Sequence, residues 1–99
     1  MNKTTEKIND MIAVLRNKGE YSDKRIATAE DLIENGGTKI YQALTDIMRD
    51  TNETHDLRYE IASVLTRAAN QRIAMRAERM LAYMDWESDD RPDKPVWKR

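Results

Sequence analysis

The only histidine in the chain, His55, stands next to Asp56, and it is the first residue to ask for acid–base or metal chemistry. A single imidazole cannot build a histidine-based metal cluster, and carboxylates alone would suit only a hard cation. Placed at the start of a helix, His55 reads as a surface residue. Ser22, Ser63 and Ser88 are far apart, and none has the neighbours of an activated nucleophile. The chain has no cysteine, so thiolate catalysis, disulfides and sulfur-based zinc sites are all excluded. Gly36-Gly37 is too short for a glycine-rich phosphate loop. Asp46, Asp50, Asn52 and Glu53 lie close together but without the spacing of a calcium loop. The expectation is a protein that is not an enzyme and needs no metal or cofactor.

Residues suited to recognition are easier to find. Arg72, Arg76 and Arg79 fall at i, i+4 and i+7, which aligns three guanidinium groups on one helix face. Such a row can grip phosphates or a partner's carboxylates bidentately. The more economical reading is a solvated row paired with acids of earlier helices, such as Glu30, Asp31 and Glu34. Arg67 lies off the line. Ile73, Met80 and Met84 form a neighbouring apolar face. At the C-terminus, Pro95-Val96-Trp97 is stiffened by proline and ends on a residue type enriched at binding hot spots. Trp97 either folds back onto its own bundle or anchors another protein. Trp86 is explained as a lid over the end of the last helix.

These residues need elements to carry them, and the chain is clearly punctuated. Thr4 or Thr5 can cap a first helix with Ile8, Met11, Ile12 and Leu15 on one stripe. Gly19 stops it, and Ser22 caps a second helix carrying Ile26, Ala29, Leu32 and Ile33. Asn35-Gly36-Gly37 ends that helix. Thr38 opens a third, with Ile40, Tyr41, Leu44, Ile47 and Met48. After Asp50-Thr51-Asn52, with Asn52 or Thr54 as cap, no glycine or proline intervenes from Glu53 to Met84, which predicts one long fourth helix. Pro92 and Pro95 exclude helix from the end of the chain.

The long helix has two apolar stripes. Leu57, Ile61, Val64, Leu65 and Ala68 define the first; Ala69, Ile73, Ala77, Met80, Leu81 and Met84 define the second. At about 100° per residue, the second is rotated by roughly 140° from the first. Either the helix breaks near Asn70-Gln71, or it continues and its second half faces a partner. The second alternative is preferred, with self-association as the simplest partner.

The fold class expected is all-α: a small bundle of about four helices, the last long or kinked, followed by an extended tail containing proline and tryptophan. Residues 1–86 form the helical domain and residues 87–99 the charged tail. Composition agrees with a small single core, 39% hydrophobic and 35% charged, with no phenylalanine. The formal charge is −1, from 17 basic and 18 acidic residues, which argues against a general polyanion binder. The N-terminus lacks the apolar run of a secretory signal, and no segment approaches the length of a membrane span. A cytoplasmic protein is expected.

Stand-alone helical proteins of this size and charge resemble accessory proteins of bacteriophages and other mobile elements, many of which inhibit or redirect host machinery. The leading expectation is accordingly a protein-interaction module that binds and modulates a larger partner through Trp97, Pro95, Val96, Arg72, Arg76, Arg79, Ile73, Met80 and Met84. One alternative is a nucleic-acid binder. It would use either the phosphate contacts of the arginine row or a helix-turn-helix placing Thr38, Lys39, Gln42 and Thr45 against bases. Another is an oligomeric structural adaptor.

Overall fold

The computed structural model describes residues 4–88, with side chains as far as Met84. Within them the protein is all-helical, with five helices in the order α1 (Thr5–Arg16), α2 (Ser22–Asn35), α3 (Thr38–Arg49), α4 (His55–Leu65) and α5 (Gln71–Ser88). None of the described helices is long and apolar enough to cross a membrane.

The caps follow the local chemistry. The Thr4 hydroxyl accepts from the Lys7 amide, and that of Thr54 accepts from the Leu57 amide, so α1 and α4 start where a side-chain oxygen replaces a missing backbone acceptor. Gly36 and Gly37 join α2 to α3 with φ of 71° and 108°, a backbone region that residues with a Cβ avoid. The reversal between α2 and α3 therefore takes only two residues.

α4 is the centre of the fold. It packs against α2, α3 and α5, while α1 closes on α2 and α3. Leu15, Leu32, Leu44, Leu57, Ile61 and Leu65 are fully or almost fully buried where these helices meet. Each such side chain contributes about 1.5–3 kcal/mol on removal from water.

The expected long helix is two helices. Thr66–Asn70 form a turn, in which the Thr66 hydroxyl donates to the Ser63 carbonyl and the Asn70 side chain accepts from the Ile73 amide. Neither glycine nor proline is needed, because Asn70 gives α5 its N-terminal acceptor. The turn also resolves the rotated stripe: α5 folds back along α4 and buries its apolar face within the monomer. Ala77 and Met84 are buried there, and Ile73, Met80 and Leu81 are half-buried. The preferred alternative, a continuous helix with a second outward apolar face, is therefore corrected. The apolar surface that α5 would have offered to a partner is covered by α4.

Candidate functional site: an arginine groove

The arginine row rides beside the buried stripe of α5, and Arg72, Arg76 and Arg79 are all exposed. Because α5 folds back on α4, the row meets residues from two other helices. α3 ends on Met48-Arg49 and α4 contributes Arg58. With Arg76, Arg79, Met80 and Tyr83 they line an open cleft of about 570 Å³. A smaller hollow of about 200 Å³ continues from it, lined by Thr45, Met48, Asn70, Arg72, Ile73 and Arg76. The two share Met48 and Arg76, so a single groove follows α5 from Asn70 to Tyr83. Half-buried Met80 and exposed Tyr83 form its accessible apolar wall over the buried Met48, and its rim is guanidinium.

Most of the other bases of the described bundle have a carboxylate. Arg16 pairs with Asp46, Lys18 with Asp50 and Glu53, Lys24 with Glu20, Arg25 with Glu53, and Arg67 with Glu30. Among the described residues, Arg49, Arg58, Arg72, Arg76 and Arg79 form no such pair. The expected pairing of the row with helix-two acids is thus not what forms, since Glu30 turns to Arg67 at 3.6 Å. Arg58 is partly committed by its Nε, which donates to the Met48 carbonyl at 2.9 Å and satisfies an otherwise open group at the end of α3. The acids near the end of α3 are already engaged. Lys18, hydrogen-bonded at 2.8 Å, holds the Asp50 carboxyl below its ordinary range; the Asn52 amide adds to this, and the charge of Arg58 is a lesser cause. Gathered like charges repel one another, and an arriving anion relieves that repulsion.

The sequence-selected residues fare differently. Arg72, Arg76, Arg79 and Met80 come together in the groove, and Ile73 lines its smaller end. Met84 is only 2% exposed and belongs to the core, so it is withdrawn from the candidate contact residues. Pro95, Val96 and Trp97 lie outside the described residues. Arg49, Arg58 and Tyr83 were not selected, although Tyr83 is 55% exposed at the groove's end. Tyr83 shares the phase of Arg72, Arg76 and Arg79 on α5, so it was open to discovery by periodicity. Arg49 and Arg58 reach the groove only through tertiary packing, which no spacing in the chain encodes.

Four further carboxylates and His55 gather elsewhere. Asp23, Glu30, Asp56 and Glu60 line an open cleft of about 850 Å³ between α2 and α4, with Ile26, Ala27, Leu57 and Tyr59 as its apolar part. The His55 and Tyr59 rings stack there with centroids 6.3 Å apart. Among the described residues no group of three or more His, Cys, Asp or Glu side chains is arranged to hold a metal ion. The Asp50 and Glu53 carboxylates of the would-be calcium segment bind Lys18 instead.

Fold and groove together define an all-α helical domain with an arginine-lined groove on one side of its central helix and an acidic cleft on the other. Comparison with protein-family models, curated protein sequences and solved structures finds no match to this chain.

Proposed function

We propose that this chain is a non-enzymatic interaction module that docks onto an acidic segment of a larger protein through the arginine groove and so modulates that protein. The observation that carries the reading is the convergence of Arg49, Arg58, Arg76 and Arg79, from three helices, around Met48, Met80 and Tyr83, with no carboxylate paired to them among the described residues. Guanidinium groups bind carboxylates bidentately, and methionine accommodates varied apolar side chains. Arginine and tyrosine are two of the residue types that dominate binding energy at protein interfaces. An acidic segment bearing one apolar side chain matches both rim and apolar wall.

A nucleic acid satisfies the rim alone. It would also meet the carboxylates of the α2–α4 cleft on the same small molecule, and the net charge of −1 supplies no overall attraction. On α3, Gln42 donates to Asp46 at 2.9 Å, and Asp46 holds Arg16. A base-reading face there would carry a carboxylate among its contacts.

The test is a titration followed by fluorescence anisotropy. One labelled probe is a glutamate-rich peptide with a central phenylalanine; the other is a single-stranded oligonucleotide of equal charge. Saturable binding of the peptide that is lost in Arg76→Glu/Arg79→Glu is the expected result. Preference for the oligonucleotide, with affinity falling steeply as salt rises, would replace this reading by phosphate recognition.

A further inference from the structure

The acidic cleft between α2 and α4, about 850 Å³, is larger than the arginine-lined cleft of about 570 Å³. Among the described residues it has no lysine or arginine in its lining: Asp23, Glu30, Asp56 and Glu60 stand around Ile26, Ala27, Leu57 and Tyr59. Glu30 shares Arg67 at 3.6 Å, while Asp23, Asp56 and Glu60 make no ion pair among the described residues. Asp23 and Asp56 are accounted for locally, since each lies in the first turn of its helix, where negative charge is favoured. Glu60, in the second turn of α4, has no such reason to be there. The cleft therefore calls for an occupant that is apolar at its centre and basic at its edges.

The chain carries such a segment. Residues 94–99 read Lys-Pro-Val-Trp-Lys-Arg, which places one large apolar side chain between Lys94 on one side and Lys98 and Arg99 on the other. We propose that this segment docks in cis across the α2–α4 cleft. Trp97 lies on the Ile26–Ala27–Tyr59 floor, over the buried Leu57, and the three bases stand against Asp23, Asp56 and Glu60. The arginine groove is a poor seat for the same segment, because it would set Lys98 and Arg99 beside five further cations. The inference does not depend on the proposed function of that groove.

Geometry permits it. Tyr83 of α5 shares the groove with Arg58 of α4. α4 begins at His55, about 4.5 Å of helix before Arg58, whereas α5 continues to Ser88, about 7.5 Å beyond Tyr83. With the two helices antiparallel, α5 runs past the level at which α4 starts, and the cleft is lined by the first turns of that same helix. Asp56 and Glu60 lie on the face of α4 opposite Arg58 by the helical period. Residues 89–99 can reach about 36 Å when extended, several times the 8–10 Å between packed helices. Pro92 and Pro95 lower the entropy lost on docking.

The experiment uses the full chain with Trp86→Phe, so that Trp97 is the only tryptophan, and reads its emission maximum and its quenching by acrylamide. The expected result is a blue-shifted, poorly quenched Trp97 that becomes red-shifted and readily quenched in Glu60→Lys/Ala27→Lys. Both of those positions are exposed, and circular dichroism confirms that the helices persist. Arg76→Glu/Arg79→Glu, on the other side of α4, leaves the signal unchanged. Three results would overturn the proposal. Trp97 could be fully quenchable in the parent chain, or protected yet indifferent to the cleft substitutions. Its protection could also grow with protein concentration, which would seat it on a second copy.

Discussion

Arg25 meets Glu53 through both terminal nitrogens of its guanidinium, at 2.7 and 3.2 Å, from a position only 3% exposed. Its Nε also donates to the Leu15 carbonyl at 2.8 Å, so one side chain ties α2 to the end of α1 and to the α3–α4 connection. A buried pair of this kind adds little over an apolar replacement, but breaking one half of it is expensive because the other charge stays buried. Glu53→Ala is predicted to lower unfolding stability by about 3 kcal/mol. Urea denaturation checks this: the midpoint should fall while the slope is unchanged. A loss below about 1 kcal/mol, the scale of an exposed pair, would show that Arg25 finds another partner.

The same cluster sets the response to pH. The Arg25 guanidinium, by its hydrogen bonds, holds the Glu53 carboxyl below its ordinary 4.5, and the Lys18 ammonium does the same for Asp50 against 3.8. Carboxyls with lowered folded values stabilise the fold above their ordinary values, and that contribution is lost as the pH falls through the folded ones. Lys18 is raised above 10.5, chiefly by its hydrogen bond to Asp50, so its contribution is present below that value and lost at higher pH. The thermal midpoint is predicted to be level through neutrality and to fall on acidification below about pH 4.5. Glu53→Gln should start lower and show a shallower acid decline. An acid limb identical to that of the parent chain would remove Glu53 from the account.

The α2–α3 junction depends on two residues without side chains. Gly36 combines φ 71° with ψ −172°, and Gly37 combines φ 108° with ψ 156°, a region essentially confined to glycine. A Cβ on Gly36 would also come within 3.0 Å of the Tyr41 hydroxyl, whereas one on Gly37 would meet nothing within 4 Å. Alanine at either site is predicted to cost about 1–3 kcal/mol, with the larger loss at Gly36. Because neither position is ordinary left-handed helix, Asn should rescue no better than Ala. Thermal unfolding of the four single variants checks the order, and a neutral Gly36→Ala would contradict the geometry.

Much of this fold could be read along the chain. Thr4 and Thr54 cap where hydroxyls precede apolar stripes, and the Gly-Gly pair joins α2 to α3. The expected fourth helix failed at Thr66–Asn70 because an asparagine cap and a short turn can stop a helix without glycine or proline. The 140° slip between stripes was the visible symptom. Arg25 gives no sign of burial by its residue type. Yet it stands at i, i+4, i+7 with Ala29 and Leu32, in phase with the buried stripe. Of the groove, the α5 row was legible as periodicity. Its partners Arg49 and Arg58 depend on how α3, α4 and α5 pack, and helical spacing says nothing about neighbours across an interface.

If this protein recognises an acidic protein segment through the arginine groove, the groove's charge decides what it captures. The most direct measurement is capture from a nuclease-treated cell lysate by three immobilised full-length forms: the parent chain, Arg76→Glu/Arg79→Glu, and Lys24→Glu as a charge-reversed control elsewhere. The expected result is one protein held by the parent and by Lys24→Glu but lost from the groove variant, with its bound segment acidic when mapped by crosslinking. Equal capture by all three forms, or a species retained only when the nuclease is omitted, would overturn it.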